Sequence, residues 1–117
     1  MNQTKATVSK HLTAFVKADI DKIVSTYADD AMMLNEDNFF RGTAEIRSEF
    51  ERLFDKFEAT DLSESGSLQA KTVDDYGYIV WSAETPSKRY EHISATFVIP
   101  EDEIVFQSMN GVVRSKD

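Results

Sequence analysis

The chain has 117 residues, a length that suits one domain with a real core, and 41% of them are hydrophobic, including eight Phe, four Tyr and one Trp. That composition excludes a disordered chain, and the lack of cysteine excludes disulfides, thiol catalysis and thiolate metal sites. Thirteen basic residues against twenty-one acidic ones leave a net charge of −8, which repels phosphate backbones and anionic lipid, so neither a nucleic-acid nor a membrane partner is expected.

No stretch approaches the roughly 20 apolar residues of a membrane helix. Lys5 and Lys10 stand near the N-terminus without the apolar run of a secretory signal, so the expected location is cytoplasmic. Internal repeats and long Pro/Gly/Ser linkers are missing, and residues 1–117 read as a single domain.

Val8, Leu12 and Phe15 recur at helical spacing and predict a helix from about Thr4 to Lys17, with His11 at the edge of its apolar face. Asp19 can cap a second helix, in which Ile20, Ile23, Val24 and Tyr27 follow the i, i+3, i+4, i+7 pattern. Asp29-Asp30 opposes the dipole at its end. Ala31 to Leu34 reads as a short edge strand and Asn35-Glu36-Asp37-Asn38 as a loop. Gly42 supplies a turn, Thr43 an N-cap and Glu45 an acidic first turn. Ile46, Phe50, Leu53, Phe54 and Phe57 then line one side of the longest helix, whose mixed charges make a solvated face.

From Leu62 onward the period becomes two. Leu62–Val73, Tyr76–Glu84, Arg89–Ile99 and Ile104–Val113 are strand-like, separated by Asp74-Asp75, Thr85–Lys88 and Pro100–Glu103. Connections this short join antiparallel neighbours. Helices followed by strands predict an α+β fold, with three N-terminal helices packed in the concavity of a strongly curved, mainly antiparallel sheet and a cavity left inside.

Tyr27-Ala28-Asp29-Asp30-Ala31, Gly42-Thr43-Ala44-Glu45-Ile46, the Phe-rich helix and the four terminal strands together resemble the nuclear transport factor two-like superfamily, in its SnoaL-like and ketosteroid isomerase-like branch. The resemblance covers nearly the whole chain. It implies a cone-shaped α+β barrel, acid–base chemistry in the cavity or simple binding there, and a homodimer through the outer sheet face. Ketosteroid isomerisation needs a carboxylate base, an oxyanion-holding Tyr and a protonated Asp. The matching positions here are Asn35, His11 and Ala95; Tyr27 is kept, and Phe50 stands where a second supporting Tyr is found. That mechanism is therefore not expected of this chain.

Aligning Ala95 with an inward position puts Glu91, Ile93, Ala95 and Phe97 on the cavity side, with Val105, Gln107 and Met109 beside them. His11, Tyr27, Asn35 and Glu91 are the catalytic candidates on this reading. The alternatives are a hydrogen-bonded structural histidine for His11 and a surface charge for Glu91. Phe15, Met33, Phe50, Phe54, Trp81, Ala95, Phe97, Gln107 and Met109 are the candidate ligand-binding residues for a small hydrophobic molecule. The opposing readings are a binding module that carries an apolar ligand without chemistry, and an interaction domain whose cavity is plugged by Phe50, Phe54, Trp81 and Met109. Tyr90, His92, Ser94, Thr96 and Val98 form the candidate dimer face. Two histidines at no ligand spacing predict no metal, and no Gly-rich phosphate loop or nucleophile elbow calls for a cofactor. Whether Glu36 or Asp37 reaches the cavity is left open.

Overall fold

The computed structural model describes residues 3–56, 67–86 and 88–115. Helix α1 (Gln3–Val16) is followed by α2 (Ile20–Val24), strands β1 (Tyr27–Leu34) and β2 (Phe39–Arg41), and helix α3 (Thr43–Lys56). Strands β3 (Ser67–Val73), β4 (Tyr76–Glu84), β5 (Lys88–Val98) and β6 (Ile104–Ser115) complete the chain. The expected third helix and antiparallel meander are present. Residues 62–66 of the first expected strand, Phe57 of the helix and Ser87 of a turn lie outside the described residues.

Helix α1 buries Thr4, Thr7, Val8, His11, Ala14 and Phe15, a stripe of steps three and four. Its first turn is tied to the far end of the sheet: Thr4 Oγ1 donates to the Ile99 carbonyl (3.3 Å) and Thr7 Oγ1 to that of Asp102 (2.9 Å). At its other end the Ala18 N–H bonds the Phe15 carbonyl and the Asp19 N–H that of Ala14, with Ala18 at φ 54°. This is a Schellman stop, built on Ala where glycine is usual.

Asp19 caps α2 as its position predicts, accepting from the Lys22 N–H at 3.2 Å. The helix then ends at Val24, five residues earlier than Asp29-Asp30 implies. Ser25 Oγ donates to the Lys22 carbonyl and Thr26 Oγ1 to that of Ile23, both at 2.6 Å. These hydroxyls satisfy carbonyls that a continuing helix would use, and the chain turns into a strand. Tyr27 thus opens β1 instead of closing a helix.

The sheet order is β2-β1-β6-β5-β4-β3, with β1 and β6 parallel and every other pair antiparallel. β1 is an interior strand, not an edge, because the unforeseen β2 pairs with it and takes the edge. Edges remain at β2 and β3, so the sheet is a curved, open wall rather than a closed barrel. Gly42, at φ 88°, turns the chain from β2 into α3, and Glu45 reaches back to accept the Arg41 N–H at 2.9 Å.

Strand register grades the concave side by depth. The innermost row runs Gly77–Phe97–Gln107–Met33 across β4, β5, β6 and β1, followed by Ile79–Ala95–Met109. Then come Trp81–Ile93 and, at the open end, Ala83–Tyr90–Val113. The core formed on this side with Val8, Phe15, Ile23, Ile46 and Phe50 is continuous from helices to sheet.

Candidate ligand site

The deep end of the concavity is filled. His11 is 2% exposed and its ring meets those of Phe97, Tyr27 and Phe50 edge-on, with centroids 5.1, 5.7 and 6.1 Å away. Its Nδ1 lies 3.2 Å from Thr26 Oγ1, whose only proton is directed to Ile23. Nδ1 is therefore the donor, and the ring is the neutral Nδ1–H tautomer. Burial pushes its pKa down from 6.5 to about 4. Tyr27 donates its hydroxyl proton to Gln107 Oε1, and burial raises its pKa far above the usual phenol range. A neutral imidazole, a neutral phenol and an amide thus meet in a buried aromatic nest. Phe15 packs against Phe54 (5.5 Å) and Trp81 (5.6 Å), and Phe50 stacks on Phe54 (6.4 Å), which extends the plug toward the mouth.

Open space begins where that plug ends. A cavity of about 470 Å³ at the mouth is lined by the β1–β2 loop (Asn35, Glu36, Asp37, Asn38), by Arg52 and Leu53 of α3, and by Trp81, Tyr90, Ile93, Met109, Asn110, Gly111 and Val113 of the sheet. One wall is apolar and aromatic; the other carries amides and charges. Gly111 is required there, since a Cβ on it would lie 2.7 Å from the Ile93 Cα and 2.4 Å from its Cδ1.

The sequence-based candidates divide sharply on this geometry. Trp81, Met109 and Asn35 line the mouth. His11, Tyr27, Phe97 and Gln107 are buried in the deep nest, while Phe15, Met33, Phe50 and Ala95 belong to the core, with Phe54 packed against it. The Asn35 side chain is engaged locally, its Oδ1 accepting the Asp37 and Asn38 N–H groups at 3.0 and 2.8 Å to close an Asx turn. With the loop folded in this way, Glu36 and Asp37 both reach the cavity wall.

Glu91 is a correction. Ladder register shifts between Glu91 and Ser94, with His92 at φ 49°. This bulge reverses the alternation, so Tyr90 turns inward and Glu91 outward. Glu91 stands on the outer face, its carboxylate 3.0 Å from Arg114 Nε and 4.0 Å from Arg89 Nη1. Tyr90 correspondingly leaves the expected dimer face, being only 6% exposed. Tyr90 was hidden from strand parity by that one extra residue, whereas Ile93 stands on the cavity side where parity put it. Leu53 and Arg52 carried a helix-face signal but no sign that the helix end overhangs a cavity.

Among the described residues there is no helix long and apolar enough to cross a membrane, and no group of three or more His, Cys, Asp or Glu suited to a metal ion.

The family model for the SnoaL-like domain matches residues 8–105. A search of curated proteins gives no match. Among solved structures, an NTF-2 like protein of unknown function from Burkholderia xenovorans LB400 is similar at TM-score 0.75 and 10% identity, over 93% of this chain and 82% of that one. A ketosteroid isomerase-like protein from Erwinia carotovora atroseptica SCRI1043 is similar at TM-score 0.66 and 16% identity, over 92% of each chain. A de novo designed protein with a curved β-sheet reaches TM-score 0.75 at 9% identity, over 96% of this chain and 88% of its own. That the same backbone arises in a designed chain illustrates why likeness at such identities speaks for the fold alone.

Proposed function

Because the chain belongs to the SnoaL-like domain family, whose fold is a wall around a cavity, we propose that it is a small-molecule-binding domain that holds an amphipathic ligand at the mouth without converting it. The observation carrying this reading is the separation of His11, Tyr27 and Glu91 from the open space at the mouth. His11 and Tyr27 lie in the plugged interior, Glu91 is on the outer face, and Asn35 is engaged in its own turn. A general acid or base must come within hydrogen-bond reach of the reacting atom. The mouth volume of about 470 Å³ falls within the roughly 300–1,000 Å³ of ordinary ligand clefts.

The neutral probe 2-phenylethanol is expected to bind one site with a dissociation constant in the millimolar range or tighter and to be recovered unchanged after long incubation. Tyr90→Ala should weaken it by about tenfold, the loss of one aromatic wall being worth on the order of 1.4 kcal/mol. Binding unaffected by Tyr90→Ala would move the ligand elsewhere, and turnover abolished in His11→Asn would restore the enzyme reading.

The outer face supports a second element of this reading, a homodimer. Tyr76, Val98, Phe106 and Met32 are successive register partners and form an apolar row across β4, β5, β6 and β1, with Tyr78 beside it 44% exposed. An apolar row of that width on a sheet face fits burial against a second copy. Sedimentation should give a dimer at micromolar concentration that Val98→Lys converts to monomer; a wild-type monomer would remove the proposal.

A further inference from the structure

We infer that the mouth selects an amphipathic cation, an aromatic or alkyl body bearing an ammonium group, and rejects the matching carboxylate. This rests on the mouth being the ligand site and adds the charge of what enters it. Two independent features point the same way.

The first is the balance of charge around the cavity. Glu36 and Asp37 line it, and neither has an ion-pair partner among the described residues. The lining cation, Arg52, is already engaged, with its Nη2 2.6 Å from Glu49 Oε1. That oxygen is shielded from solvent and has no aligned hydrogen bond among the described residues, so the guanidinium is what compensates its charge. Drawing Arg52 onto a ligand carboxylate would leave Glu49 charged, shielded and unpaired, a heavy penalty. With Glu36, Asp37 and Glu49 against Arg52, three negative charges meet one positive, and the surroundings are net −2 among the described residues.

The second feature is the ring pair. Trp81 and Tyr90 both line the cavity, with ring centroids 5.7 Å apart and planes inclined by 32°. Aromatic faces are the negative part of the ring quadrupole; they attract ammonium groups, the indole most strongly, and repel carboxylates. Rings flanked by carboxylates suit a cation, whereas the apolar side chains of Ile93 and Met109 suit its hydrocarbon body.

The test titrates the whole chain with 2-phenylethylammonium, 2-phenylethanol and 3-phenylpropionate by calorimetry at low ionic strength. The ammonium compound is expected to bind at least tenfold tighter than the alcohol and the carboxylate most weakly. Added salt should narrow the spread, because exposed charges are screened. In the Glu36→Gln/Asp37→Asn double variant, with folding checked by circular dichroism, the ammonium-to-alcohol ratio should fall below threefold. A carboxylate that binds as tightly as the ammonium, or a ratio unmoved by the double variant, overturns the cation inference while leaving the mouth as a ligand site. Failure of all three probes to bind overturns both.

Discussion

Lowering the pH from 6.5 to 4 is expected to remove on the order of 3 kcal/mol of stability through His11 alone. In the unfolded chain this imidazole titrates near 6.5; in the folded protein burial among Phe97, Tyr27 and Phe50 holds it at about 4. Between those values the unfolded state binds the extra proton, so stability rises with pH. The contribution is fully present above 6.5, declines as the pH falls toward 4, and is gone below it. Other groups titrate in the same range, so the measurement is a difference. His11→Asn keeps an N–H for Thr26 and has no titrating ring. Urea denaturation of both proteins from pH 7.5 to 4 should give curves that converge as the pH falls. Parallel curves would mean that His11 is reached by water, and with it that the deep cone is open.

Phe97→Ala should destabilise the protein by about 3–5 kcal/mol, the usual cost of emptying a phenyl-sized volume from a packed core. Phe97 is fully buried and sits in the deepest row between Gly77 and Gln107, with His11 edge-on to it. Helix α1 is close on its neighbour, since a Cβ on Gly77 would lie 2.7 Å from Val8 Cγ2. The helix therefore has little freedom to collapse into the gap. Phe97→Leu should lose no more than about 1.5 kcal/mol, its shape being closer to the original. The alanine variant also tests the plug, because a dry apolar cavity of this kind binds benzene. Benzene should raise the melting temperature of Phe97→Ala and leave that of the wild type unchanged. Equal stabilisation of both would show that the interior already has room for a ligand, contrary to the proposed site at the mouth.

Much of the fold was legible because its causes are local. Alternation in Tyr76–Glu84 and the turn residues around it matched β4 residue for residue. The α1 stripe and the Asp19 cap were equally readable. Local reading failed where a short-range competitor acted. Ser25 and Thr26 ended α2 early with their hydroxyls, and the three-residue β2 was too brief to carry a pattern. The site was less legible. Strand parity set Ile93 and Met109 toward the cavity, where they line its wall, but reversed Tyr90 and Glu91, since a bulge puts the residues before it on the opposite parity from those after it.

The sequence by itself determined the order and type of the main elements, and its motifs carry a family resemblance under which Asn35 matches the position of the isomerase base. These follow from periodicity and residue identity, which neighbours along the chain express. Tertiary structure decided what the cone contains. Whether His11, Tyr27 and Gln107 meet a ligand or one another depends on how Phe15, Phe50, Phe54 and Phe97 pack between helix and sheet. That Glu36 and Asp37 share a cavity with Trp81 and Tyr90 depends on strands far apart in sequence closing on the same end. Such long-range packing has no period along the chain, so no stretch of residues announces it.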